Sequence, residues 1–143
     1  VPINIRIKSE AYINEKILSL PLGIKMTLAK RASNNVLIRL IEDGMKEVVS
    51  ICLDSPYMTE GDVCKIVSMK KITSQVIRQI ANHPKWSCRY SVQWALILNN
   101  YTPLSSVVHF LKNIKTSDLR ELYTLPELPS STKPFIYREL LGR

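Results

Sequence analysis

The sequence predicts an all-α chain of short antiparallel helices stacked as an α-α superhelix. Three observations carry this. First, a helix-start signal recurs: Pro56-Tyr57-Met58-Thr59 is echoed 28 residues later by Pro84-Lys85-Trp86-Ser87. Second, Thr59 and Thr102 lie 43 residues apart, as do Ser87 and Ser130, and Thr73-Ser74 and Thr116-Ser117. A period of about 40–47 residues is the range of two- or three-helix solenoid units. Third, an apolar frame of helical spacing repeats as Val36, Leu37, Leu40, then Val76, Ile77, Ile80, then Val107, Val108, Leu111, with unrelated residues between.

The elements follow in order. Residues 2–8 alternate polar and apolar and read as an extended arm or a short edge strand. Ser9 opens a first helix to Leu18. Gly23 to Ala32 is a second, with Ile24, Met26 and Leu28 as its apolar members. Ser33 caps a third, which Asp43-Gly44 ends. Lys46 to Asp54 is a fourth. Thr59-Glu60-Gly61-Asp62 opens a fifth, its acidic first turn suited to the positive end of the helix dipole. Thr73 opens a sixth. Ser87 opens the longest, to about Asn99, apolar on most of its circumference and so expected at the centre of the stack. Its narrow polar strip is Arg89, Gln93 and Asn100. Thr102-Pro103 opens an eighth, with Thr as cap and Pro at the first helical position. Thr116-Ser117-Asp118 opens a ninth, and Ser130 or Ser131 the last. Residues 1–20 are thus an N-terminal arm and first helix, and 21–143 a single helical repeat domain.

The turns Leu53-Asp54-Ser55-Pro56, Ala81-Asn82-His83-Pro84 and Leu98-Asn99-Asn100-Tyr101-Thr102-Pro103, each leading into a short Thr- or Ser-initiated helix, resemble those of HEAT-type and leucine-rich-variant α-solenoids over residues 20–141. The resemblance implies a HEAT/ARM-like fold of bacterial type and a binding habit. It implies no catalytic residues. Some leucine-rich-variant proteins carry an N-terminal cysteine cluster for an iron–sulfur centre; no cysteine precedes Cys52 here, so that cofactor is not carried over.

The chain has 143 residues, 45% hydrophobic and 22% charged, the balance of one soluble globular domain. No stretch reads as a transmembrane helix or a secretory leader, and beginning with Val1 the chain reads as a trimmed or excised piece. Cys52, Cys64 and Cys88 form no CxxC pair, which argues against zinc and disulfides and for a reducing, cytoplasmic setting. All three sit among apolar residues and are expected to be buried packing groups.

Net charge is +8 and unevenly spread. Val63 to Ser117 contains no Asp or Glu, yet holds Lys65, Lys70, Lys71, Arg78, Lys85, Arg89, Lys112 and Lys115. Such a span presents a positive surface wherever its polar faces emerge. The expected contact residues are Lys70, Lys71, Arg78, Lys85 and Arg89, with Trp86 and Tyr90 available for stacking or else part of the core. An acidic protein partner ranks above nucleic acid, because no helix-turn-helix, RNA-recognition or zinc-finger motif is present and the aromatic content, 7%, is modest for base stacking. Solvated faces of a basic protein are the bland alternative. Lys25 with Lys30-Arg31 suits the carboxyl end of the second helix.

No residue cluster specifies a reaction. His83 has no acid within 20 residues to orient it and is expected to cap carbonyls or face solvent. A Cys88–His83 pair is muted by the expected burial of Cys88, and His109 reads as surface. Some HEAT-like proteins are DNA glycosylases, and Trp86 and Trp94 invite that comparison, but the basic span lacks the carboxylate such chemistry needs. Four scattered glycines build no phosphate loop. The expectation is a non-catalytic binding scaffold, with no cofactor and no metal, that engages an acidic protein through a basic face. Nucleic-acid binding by the same face is the alternative, and a glycosylase-type enzyme comes last.

Overall fold

The computed structural model describes residues 19–143. The expected arm at 2–8 and the first helix from Ser9 to Leu18 lie outside the described residues. Among these the chain is all-helical: α1 Leu22–Arg31, α2 Asn34–Asp43, α3 Lys46–Leu53, α4 Glu60–Val67, α5 Ser74–Asn82, α6 Tyr90–Leu98, α7 Leu104–Leu111, α8 Thr116–Thr124 and α9 Lys133–Leu141, with a 3-10 turn at Trp86–Cys88. No strand occurs among the described residues.

Several boundaries follow directly from local chemistry. Gly44 takes a left-handed backbone, φ 81°, and closes α2 where a side chain would be strained. Thr59 and Asp62 form a reciprocal capping box at the start of α4, and the Thr73 hydroxyl accepts the Val76 N–H at the start of α5. Other expected openings fail: α8 has Lys115 at its N-cap in place of Thr116, and α9 has Thr132 in place of Ser130 or Ser131. The Thr102 side chain is buried and turned back to donate to Leu96 O at 2.6 Å, so α7 begins at Leu104 after Pro103. Ser87 does not open a helix: its hydroxyl donates back to His83 O, the chain makes one 3-10 turn, and α6 starts only at Tyr90. Gln93 of α6 is buried and donates to Ser87 O at 2.8 Å; it is not part of an exposed polar strip.

Helices of eight to ten residues are too short to be stable alone, so each depends on its neighbours. Adjacent helices pack at α1–α2, α2–α3, α5–α6, α6–α7 and α8–α9, and next-but-one helices pack as substantially: α1 on α3, α2 on α4, α3 on α5, α4 on α6 and α7 on α9. One continuous core runs between them. It holds Val36, Leu37, Leu40 and Ile41 of α2, Val76, Ile77 and Ile80 of α5, and Leu96 and Ile97 of α6, all but fully buried.

Polar side chains reinforce this next-but-one pairing in a regular way. The last carbonyls of a helix have no intrahelical donor. Leu53 O, at the end of α3, accepts from Trp86 Nε1 just after α5 (2.8 Å). Val67 O, at the end of α4, accepts from Asn99 Nδ2 just after α6 (2.9 Å). Leu111 O, at the end of α7, accepts from Arg143 Nη2 just after α9 (3.1 Å). At the opposite helix ends, Asn34 at the start of α2 donates to Asp62 in the first turn of α4 (2.8 Å), and Tyr90 at the start of α6 donates to Asp118 in the first turn of α8. The donor and acceptor lie 28 to 33 residues apart in all five cases. The 43-residue spacing spans three helices, Glu60 to Leu104 and Ser74 to Thr116, for example. The 28-residue echo of Ser55-Pro56 in His83-Pro84 matches the two-helix step.

α1 corrects two expectations. Ile24 is 53% exposed, while Lys25 is only 4% exposed and Nζ sits 2.5 Å from Asp43 Oδ2 and 3.5 Å from Met45 Sδ. Lys25 is a buried ion-pair partner, not a dipole-complementing surface charge. Asp43→Ala, which strands this ammonium, is expected to cost about 3–5 kcal/mol in urea unfolding, and the double change Lys25→Met with Asp43→Leu to recover most of it. Asn99→Ala is expected to cost about 1–3 kcal/mol by orphaning Val67 O; an unchanged unfolding midpoint would contradict the capping role.

Candidate partner-binding surface

The five expected contact residues are all exposed, and none forms an ion pair among the described residues. They do not make one compact cluster. Lys70 and Lys71 lie in the turn before α5, Arg78 on its exposed side, and Lys85 and Arg89 beyond its far end. A nine-residue helix is about 13 Å long, so the set runs along α5 from end to end. Lys85 Nζ lies 4.5 Å from the Trp86 ring centroid. Trp86 itself is 2% exposed, so it belongs to the core and offers no stacking surface.

The span without acids in sequence is not without acids in space. Asp54, Glu60 and Asp118, which flank it, reach His83, Ser91 and Tyr90 respectively. His83 thus has the carboxylate that its sequence neighbourhood lacks: Nε2 is 2.8 Å from Asp54 Oδ1, across 29 residues. Its Nδ1 accepts the backbone N–H groups of Lys85 (3.2 Å) and Trp86 (3.3 Å), which assigns the ring proton to Nε2 as donor to Asp54. Both ring nitrogens are committed, so His83 ties the turn after α5 to the end of α3 and has no free nitrogen for Cys88.

The cysteines divide. Cys52 is buried, and burial pushes its thiol up to about 12. Cys64 is half-buried and its Sγ lies 3.5 Å from Ser91 Oγ. Cys88 is exposed, against expectation, because the 3-10 turn rotates it out of the stripe that a continuous helix from Ser87 would have buried. It lines a cleft of about 600 Å³ with Asn82, Gln93, Ser105, Ser106, His109 and Asn113, among others. No hydrogen bond joins Cys88 to exposed His109. A second hollow, of about 610 Å³, is lined by Met69, Trp94, Leu98 and Tyr101 with Glu127 at its rim.

The groove that involves an expected contact residue lies between α3 and α5 and measures about 720 Å³. Lys46, Ser50, Leu53 and Asp54 line one wall, at spacings that share one face of α3. Gln75, Arg78, Gln79, Asn82 and His83 line the other at the matching spacing on α5, with Pro84 at the end. Gln79 Nε2 donates across the floor to Lys46 O at 3.0 Å, while its Oε1 is buried with no hydrogen-bond partner. Lys46 was not singled out in the sequence. Its signal was the polar i, i+4, i+8 series Lys46, Ser50, Asp54, which an apolar-frame reading passes over. Among the described residues no three His, Cys, Asp or Glu side chains group to hold a metal ion, and no helix is long and apolar enough to cross a membrane.

Tyr90 joins α6 to α8. Its hydroxyl, turned into that junction, donates to Asp118 and accepts the Lys115 N–H at 3.2 Å. Loss of hydration, then the bond to Asp118, raises its pKa above the ordinary 10. A raised folded-state value favours the protonated folded form. That contribution is fully present below the unfolded value and is lost as pH rises through the folded one. Followed through its ring signals in NMR, Tyr90 is expected to ionise at lower pH in Asp118→Asn than in the parent protein; an unchanged Tyr90 titration would contradict the assignment.

No model of a known protein family, no curated protein and no solved structure matches this chain.

Proposed function

We propose that this chain is a non-catalytic binding scaffold, a two-row stack of helices of the HEAT-like kind, that engages an acidic protein through the basic surface along α5. The next-but-one packing and the 28- to 33-residue offset of its polar ties support the stacked reading. One observation carries the functional reading. Three of the carboxylates that reach the basic span are engaged internally, Asp54 by His83, Glu60 by Ser91 and Asp118 by Tyr90, and a fourth, Glu127, lines a hollow that no α5 residue enters. The cations Lys70, Lys71, Arg78, Lys85 and Arg89 are exposed and hold no carboxylate among the described residues. The charge left for a partner is therefore positive. Burial of Trp86 removes the strongest stacking group from this surface, which favours an acidic protein over a nucleic acid. The commitment of both His83 nitrogens, in turn, weakens a glycosylase-type or other acid–base reading.

Polyglutamate is a suitable probe for this surface. Charge reversal at Lys71, Arg78 and Arg89 together is expected to abolish retention on immobilised polyglutamate while leaving the helical circular dichroism intact. Retention unchanged by the triple reversal sinks the proposal. Tighter binding to single-stranded DNA than to polyglutamate near physiological salt, with affinity falling steeply in log salt, selects the nucleic-acid alternative.

A further inference from the structure

We propose that the α3–α5 groove is the seat for an extended acidic peptide segment, with a carboxylate held between Lys46 and Arg78. This rests on the scaffold reading above and specifies where and how the partner is read. Lys46 and Arg78 come from opposite walls of the groove, both exposed and neither paired with a carboxylate among the described residues. The acid in the groove, Asp54, is already held by His83. An incoming carboxylate thus meets two unneutralised cations and one carboxylate that is partly compensated.

The remaining polar groups suit a peptide backbone. Gln75 and Gln79 project from the same face of α5, and a primary amide both donates and accepts, as a peptide unit requires. Gln79 Oε1 is an acceptor with no partner, which costs free energy until a donor reaches it. A small rotation of this half-buried side chain lets a peptide N–H relieve that cost. A nucleic-acid backbone fits less well: no Phe, Tyr or Trp lines the groove for base stacking, the His83 ring is held by Asp54 and the turn after α5, and Asp54 would repel successive phosphates. The volume, about 720 Å³, lies within the range of small-ligand and short-segment sites.

The test uses a fluorescein-labelled, acetylated hexapeptide of alternating Glu and Gly, with binding read by anisotropy. Lys46→Glu with Arg78→Glu is expected to weaken binding at least roughly tenfold, and Lys71→Glu with Arg89→Glu by less than about threefold. Gln79→Met is expected to weaken the peptide severalfold without lowering the melting temperature, which a merely structural glutamine would not do. Lys46→Gln with Arg78→Gln guards against misfolding and should weaken binding in the same sense. If instead the Lys71/Arg89 pair governs the hexapeptide, the groove assignment is overturned and the scaffold reading stands. Retention on polyglutamate with no hexapeptide binding likewise overturns the groove alone. Failure to bind either probe overturns both. If single-stranded DNA competes fully for the Lys46/Arg78 site, the peptide assignment is wrong.

Discussion

Everything in this fold depends on how short helices dispose of their open ends. A helix of eight or nine residues leaves about half of its carbonyls without an intrahelical donor. Here a side chain that follows the helix two steps later supplies a donor: Trp86 to Leu53 O, Asn99 to Val67 O, Arg143 to Leu111 O. At α3, α4 and α7 the bond that serves an open carbonyl also ties the helix to its next-but-one neighbour. Packing then follows, with Leu37, Leu40, Ile77, Ile80 and Leu96 closing one core between elements that could not stand singly.

That arrangement also sets the electrostatics. Carboxylates stand at helix starts, where the dipole favours them, and three are tied to a donor at the start of the helix two places away in sequence: Asp62 to Asn34, Glu60 to Ser91, Asp118 to Tyr90. Fold assembly therefore engages most of the carboxylates among the described residues. Among lysines and arginines it engages few in this way; Lys25, Arg39 and Arg143 alone pair with a carboxylate among the described residues. The basic character of the surface along α5 is a consequence of which charges the scaffold needs for itself.

Much of this was legible in the sequence, for local reasons. Gly44, Thr59 and Thr73 act within four residues of themselves, and the apolar frame of α2 and α5 announces its own period. What escaped was set at a distance. Nothing near His83 in sequence points to Asp54, and nothing near Lys25 points to Asp43, because both pairings arise only when helices are laid side by side. The Pro84-to-Ser87 segment imitates a helix start, yet the Ser87 hydroxyl folds back on His83 O and turns Cys88 outward. Matching hydroxyls 43 residues apart counted three helices, where the side-chain ties count two. The groove was missed because it is built from the polar faces of α3 and α5, whose positions are written only as the complement of the apolar frame.

The central claim is that internal bonding engages most of the anions and leaves the cations along α5 for a partner. Lysine footprinting by acetylation, with the protein free and then saturated with polyglutamate, tests it most directly. The account predicts protection concentrated at Lys46, Lys70, Lys71 and Lys85, with Lys30 and Lys133 reacting as before. Equal protection of all six lysines would contradict it, since a diffuse positive charge and not a surface built by the fold would then hold the anion.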